Sequence, residues 1–184
     1  MNAASSYKIG LILRAAQFAA EKHRNQRRKD ADASPYINHP IALANVLHHE
    51  GGVDDVVTLC AALLHDTVED TDTSPQELAE VFGSDIVDVV LEVTDDKSRP
   101  KAERKRLQIE HAPSVSMQAK LVKLADKICN LRDIDASPPA DWTEARKVEY
   151  YAWARQVVEG LRGVHPVLER VFDGLCDAYG RRGA

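Results

Sequence analysis

A chain of 184 residues with 44% apolar and 29% charged side chains suits a single domain over residues 1–184 with a real core, and excludes a disordered chain or two independent domains. The net charge of −5 argues against general nucleic-acid binding, yet residues 97–106 gather six basic side chains against Glu103 alone, which suits a small anionic ligand. Cys60, Cys129 and Cys176 are odd in number and widely spaced, which predicts free buried thiols in a reducing compartment, the cytosol. No window approaches the ~20 apolar residues of a membrane span, so a soluble protein without a membrane partner is expected.

Leu11, Ala15, Phe18 and Ala19 give the first helix its apolar stripe, which ends before the basic segment 24–29. A loop follows through Ser34-Pro35-Tyr36. Pro40 suits the first turn of a helix that runs through Leu43 and Leu47 and stops at Gly51-Gly52, which puts His39 at its start. Asp54 or Asp55 can cap the next helix, whose run from Val56 to Leu64 is almost wholly apolar and therefore buried.

Ser74-Pro75-Gln76-Glu77 reads as a capping box that opens a helix at Pro75. Gly83-Ser84 separates it from a helix over 85–93, where Ile86, Val89, Val90 and Val93 keep helical spacing despite their strand propensity. Pro100 can open a charged helix to about His111, and Pro113 breaks the chain before a strong helix over 117–132. Its core face is Leu121, Val122, Leu124, Ala125, Ile128 and Cys129. Beyond Pro138-Pro139, Thr143 can cap a helix through Val158, and Pro166 opens the last. No alternating strand pattern occurs, so the expected fold is all-α, one compact bundle of about eight to ten helices.

The stretch His65-Asp66-Thr67-Val68-Glu69-Asp70-Thr71-Asp72 sets four carboxylates within seven residues of a histidine. An acidic, turn-forming helix end is the plain alternative. The apolar run before it makes His65 and Asp66 emerge from the core, where bare carboxylates need a cation or a proton. Asp126 also interrupts the apolar stripe of its helix. Lys123 and Lys127 look like poor partners for it, being near-adjacent in sequence, whereas Asn130 shares its face four residues on. His39, His65, Asp66 and Asp126 together make a mixed nitrogen and oxygen set that suits Mn, Fe or Zn. Glu69 and Asp70 stand about one turn further, within reach for proton transfer. His23, His48, His49, His111 and His165 fall outside this pattern and are expected at the surface or at helix caps.

A His, then His-Asp, then a distant Asp resembles the HD-domain metal-dependent phosphohydrolases. Pro35-Tyr36-Ile37-Asn38-His39-Pro40, Ala62-Leu63-Leu64-His65-Asp66-Thr67-Val68-Glu69-Asp70-Thr71, Phe82-Gly83 and Lys120-Leu121-Val122-Lys123-Leu124-Ala125-Asp126-Lys127 resemble the hydrolase domain of the RelA/SpoT enzymes. With Val93-Thr94-Asp95-Asp96-Lys97 and Asn130-Leu131-Arg132-Asp133 added, the resemblance narrows to the stand-alone small alarmone hydrolases of the metazoan SpoT homologue type.

That resemblance implies Mn2+, other divalent ions being possible, and hydrolysis of the 3′-pyrophosphate of guanosine tetra- or pentaphosphate to GDP or GTP. It makes His39, His65, Asp66 and Asp126 the metal ligands and Glu69 with Asp70 the groups that handle water and protons, their separate roles left open. It puts Arg28 on the purine, Lys29 on the nucleotide, Asn130 near the ribose, and Lys101, Arg146 and Tyr150 on phosphates and sugar. A chain of 184 residues leaves no room for the synthetase domain of the long bifunctional relatives. Adenosine alarmones and the 2′-phosphate of NADPH are alternative substrates, because nothing in the sequence reads the purine's exocyclic groups. A nucleotide-sensing module without turnover is an alternative of another class, and an all-α nucleic-acid binder a weaker one. Oligomeric state is not expressed in these motifs.

Overall fold

The computed structural model describes residues 3–182, and among them every regular element is helical. Helix α1 (Ala3–Lys22) ends as expected and leads into a loop pinned by an isolated bridge between Arg27 and Pro35. Within that loop the Arg28 N–H donates to Ser34 O at 2.9 Å and the Tyr36 N–H to Gln26 O at 3.2 Å, so its basic residues are held rather than trailing. Helix α2 (Asn38–Asn45) begins one residue before His39, with Pro40 in its first turn.

The expected single helix to Gly51 is instead α2 followed by a π-helical turn, Val46–Glu50. The wider turn keeps Val46 and Leu47 both buried and delivers Glu50 to Arg132, whose guanidinium donates to both carboxylate oxygens at 2.6 and 2.8 Å. Gly51 is required there, since a Cβ would stand 2.7 Å from Leu47 O.

Helix α3 (Val56–Leu64) is the axis of the molecule. Asp55, not Asp54, caps it, accepting from the Thr58 N–H at 3.0 Å, and every residue from Thr58 to Leu64 is buried. It packs against α1, α2, α6 and α8. His65 and Asp66 occupy the turn that ends it, and a single helical turn, α4 (Thr67–Asp70), follows.

Helix α5 (Pro75–Phe82) starts on the Ser74 cap, but the capping box is only half formed. Ser74 Oγ accepts from the Glu77 N–H at 3.1 Å, whereas the Glu77 carboxylate turns to Lys22 Nζ at 2.9 Å and ties α5 to α1. A cross-helix ammonium outcompetes a solvated N-cap amide for that charge. Gly83, at φ +83°, turns the chain into α6 (Ser84–Val93), which forms as a helix despite its valines because Ile86, Val87, Val89 and Val90 are all buried.

Helices α7 (Lys101–His111) and α8 (Met117–Ala136) flank the site; α8 runs to Ala136 rather than 132 because Ile134 continues its buried stripe. Helix α9 (Glu144–Glu159) is capped by Thr143, and α10 (Pro166–Arg182) by His165, whose Nδ1 accepts from the Leu168 N–H at 3.3 Å. Ten α-helices and one π turn among the described residues match the all-α expectation. The three cysteines are free and buried. No helix among the described residues is long and apolar enough to cross a membrane.

Candidate functional site

Three elements distant in sequence bring the metal candidates together: the start of α2 gives His39, the end of α3 gives His65 and Asp66, and the middle of α8 gives Asp126. Ligand atoms of His39, His65 and Asp126 all lie within 4.8 Å of one another. His39 Nε2 stands 3.1 Å from Asp126 Oδ1, and His65 Nε2 stands 2.8 Å from Asp66 Oδ2.

The histidine tautomer is set locally. His65 Nδ1 donates to Ala62 O at 2.8 Å, which leaves Nε2 to face the carboxylates, buried and without an aligned hydrogen-bond partner. A lone pair and carboxylate oxygens crowded together call for positive charge between them. The electrostatics of the cluster point the same way: burial pushes the His65 imidazole down, but Asp66 and Asp126 outweigh it and hold it up at about 9. Asp66 and Asp126 are pushed up by burial yet held below the ordinary carboxylate range, Asp66 by His65, His39 and the Tyr36 hydroxyl, Asp126 by Lys127 and the two imidazoles. Two imidazoles and two carboxylates around a cation-seeking gap fit a divalent ion.

Asp126 does have a lysine partner, contrary to the sequence reading. Lys127 Nζ lies 2.8 Å from its Oδ2, also bonds Gln108 Oε1 at 3.3 Å, and sits 4.6 Å from the centre of the Trp153 ring. Adjacent Cβ atoms diverge on a helix, but a four-carbon stem folds back far enough to close the gap. Asn130 behaves as expected, its Nδ2 donating to Asp126 Oδ1 at 2.6 Å.

Glu69 and Asp70 are positioned by different parts of the chain. Glu69 Oε2 accepts from the Asp95 N–H at 2.9 Å, and Arg104 stands 3.7 Å from its other oxygen. Burial, with Asp66, Asp95 and Asp70 nearby, lifts the Glu69 carboxyl to about 7 against the pull of that amide bond. Asp70 accepts from Gln26 Nε2 at 2.8 Å and pairs with Lys97. Behind Gln26 lies His23, which is 1% exposed and bonded through Nδ1 to Gln26 Oε1 at 2.6 Å, so it is neither a surface nor a capping residue. Tyr36 packs against His23, the rings tilted 35° with centres 4.8 Å apart, and donates to Asp66.

Two clefts adjoin this centre. One, about 600 Å³, is lined by Arg28, Lys29, Tyr36, Asn130, Asp133 and Tyr150 among others; the second, about 760 Å³, by Lys101, Arg104, Lys105, Arg146, Tyr150 and Trp153. Tyr150 stands on both, which joins the six residues assigned by resemblance to nucleotide contact into one continuous surface. Arg28 is engaged already: it pairs with Asp133, lies 3.3 Å from Asn130 Oδ1, and its guanidinium is 5.7 Å from the centre of the Tyr36 ring. Burial, then the nearby cations Arg146, Lys105 and Lys29, push the Lys101 ammonium below its ordinary pKa, with Glu149 opposing. Sequence reading missed Gln26, Tyr36, Lys97, Arg104 and Asp133 as site residues. Asp133 was the readable one, since 126, 130 and 133 fall on one helix face.

Residues 15–155 match the family model described as HD domain. The chain is 59% identical over 170 residues to guanosine-3′,5′-bis(diphosphate) 3′-pyrophosphohydrolase MESH1 of Xenopus tropicalis, covering 92% of this chain and 95% of that one. The human protein of the same name is 57% identical over 169 residues, 92% and 94% of the two chains. Among solved structures, a metazoan ortholog of SpoT described as hydrolyzing ppGpp and playing a role in starvation responses matches with TM-score 0.90 and 48% identity over 92% of this chain and 96% of the other. A Listeria monocytogenes protein, at TM-score 0.65 and 22% identity over 77% and 97% of the chains, shares the fold.

Proposed function

This chain belongs to the HD domain family, and from that premise we propose that it is a metal-dependent hydrolase that removes the 3′-pyrophosphate of guanosine 3′,5′-bis(diphosphate). The observation that carries the reading is the cluster of His39, His65 and Asp126 ligand atoms within 4.8 Å of one another, with Asp66 2.8 Å from His65 Nε2, Glu69 and Asp70 beside it, a mixed-charge cleft on one flank and a cationic one on the other. His39, His65, Asp66 and Asp126 would hold the ion, which we assign as Mn2+. Bound there, it would polarise the phosphoryl oxygen and acidify a water.

The remaining work falls to the chain. Glu69, held beside the cluster by the Asp95 N–H and lifted to about 7 in the metal-free protein, takes the proton of the attacking water, for which its ionised form is favoured once the ion is bound. Asp70, fixed by Gln26 and Lys97, serves the ribose 3′-oxygen as it leaves. Arg28, Lys29 and Asn130 receive the nucleoside, and Lys101, Arg146 and Tyr150 the phosphates and sugar. Three free buried thiols suit a reducing compartment and support the cytosol as the place of action.

Purified protein with Mn2+ is expected to release pyrophosphate from guanosine tetraphosphate, and excess chelator to abolish the release. The adenosine counterpart and NADPH in the same panel, with products identified by mass, separate the alternative substrates. No pyrophosphate from either alarmone overturns the reading. Gln26→Leu removes the 2.8 Å bond to Asp70 and is expected to lower turnover about ten-fold while metal content stays at the wild-type level. Unchanged turnover would show that Lys97 alone positions Asp70.

A further inference from the structure

Lys123 lies three residues before Asp126 on α8 and is only 7% exposed. Its neighbour one turn on, Lys127, is equally buried and fully engaged by Asp126, Gln108 and the Trp153 ring. Lys123 has no such company: among the described residues it makes no hydrogen bond and no ion pair. It lines the cavity of about 180 Å³ that also holds His65, Asp66, Glu69 and Asp126. The charges around it are Asp95, Asp126 and Glu69, with Lys127 opposing. A buried ammonium that serves only the fold is normally paired, and an apolar side chain of the same length would fill the space at lower cost.

Charge accounting in that cavity gives the lysine a task. A divalent ion held by two neutral imidazoles and two carboxylates is balanced by its own ligands. Of the other cations lining the cavity, Arg28 is held by Asp133 and Lys127 by Asp126, so among the described residues Lys123 is the one left to meet an incoming anion. We propose that Lys123 is a catalytic residue whose ammonium donates to a non-bridging oxygen of the phosphoryl group under attack. This rests on the hydrolase reading above. As the water oxygen bonds to phosphorus, the phosphorus bond to the ribose 3′-oxygen breaks and its electron pair goes to that oxygen. The water's proton passes to Glu69, and the leaving oxygen is protonated through the Glu69 and Asp70 pair. Lys123 stays protonated throughout and stabilises charge on the equatorial oxygens.

The test compares Lys123→Met and Lys123→Arg with the Mn2+-loaded wild type. Lys123→Met is expected to melt no lower than wild type, to keep its Mn2+, and to lose about 10²-fold or more in kcat with KM changed only a few-fold. Lys123→Arg should recover part of the rate. Affinity for inorganic phosphate, followed by calorimetry, should weaken about ten-fold in Lys123→Met relative to wild type. Wild-type kcat in Lys123→Met, or a rate loss matched by lost metal or a lower Tm, overturns the proposal in favour of a structural lysine. Should the wild type itself release no pyrophosphate, the hydrolase reading fails by that result, and the phosphate titration still decides Lys123: equal affinity in both proteins overturns its anion contact.

Discussion

Asp126→Asn is expected to abolish hydrolysis by removing the ion rather than by reshaping the cleft. The amide keeps the side chain's size and its carbonyl can still face Lys127, but it supplies no charge to a divalent cation. The loss of several kcal/mol of charge stabilisation in the transition state corresponds to about 10³-fold or more in turnover. Metal content after dialysis should fall in parallel. The variant also weakens the 2.8 Å contact to Lys127, a buried ammonium, so the metal-free variant is expected to be less stable than the metal-free wild type by about 1–3 kcal/mol. Urea denaturation with chelator present isolates that term. Turnover equal to wild type in the presence of Mn2+ would mean that Asp126 is no ligand, and loss of metal without loss of nucleotide binding would separate recognition from chemistry.

Glu69→Gln carries the second large effect, through pH. With the carboxyl lifted to about 7, the group is neutral below that value and ionised above it. If Glu69 accepts the proton of the water, the rate rises with pH through an acid limb. A neighbouring dication favours the ionised form, so in the Mn2+-loaded enzyme the limb lies below 7, and in the metal-free protein Glu69 titrates near 7. Glu69→Gln should lower kcat about 10²- to 10⁴-fold and flatten the limb. An acid limb that survives the substitution assigns it to another group.

The same shift has a consequence for stability with a definite sign. Between the ordinary glutamate value and about 7 the folded state holds a proton that the unfolded state has released. Stability of the metal-free protein therefore declines as pH rises through that window. Glu69→Gln removes that decline, and the metal-free variant should gain on wild type above pH 7. The group assigned here to the attacking water is one the metal-free fold would be steadier without.

Much of the centre was legible in the chain because its residues break local rules. His65 and Asp66 end an apolar run that has no use for them, and Asp126 interrupts the stripe of α8; each is expensive without a partner, and each lies beside the others in the fold. Caps at Asp55, Ser74, Thr143 and the glycine at 83 were legible for the same reason, since few residue types fill those positions. What escaped is governed by reach rather than by direction. Spacing along a helix reports where a Cβ points, and it does not foresee a lysine stem doubling back onto its neighbour, as Lys127 does, or Glu77 leaving its own cap for Lys22. The burial of His23 escaped because the loop over 23–37 returns on itself through single hydrogen bonds that no periodicity encodes. The π turn at Val46–Glu50 carries Glu50 to Arg132, a residue 82 positions away, and nothing nearby in sequence announces that pairing.

Helix α3 is buried from Thr58 to Leu64, and the candidate ligands come from its end and from two helices packed upon it. An ion held there would clasp α2, α3 and α8 across the middle of the molecule. It would have to be released, or carried along, before those helices could part. The half-life of the folded chain, and with it resistance to proteolysis, would then follow the free concentration of the ion, so metal starvation would shorten the protein's lifetime as well as silence its chemistry.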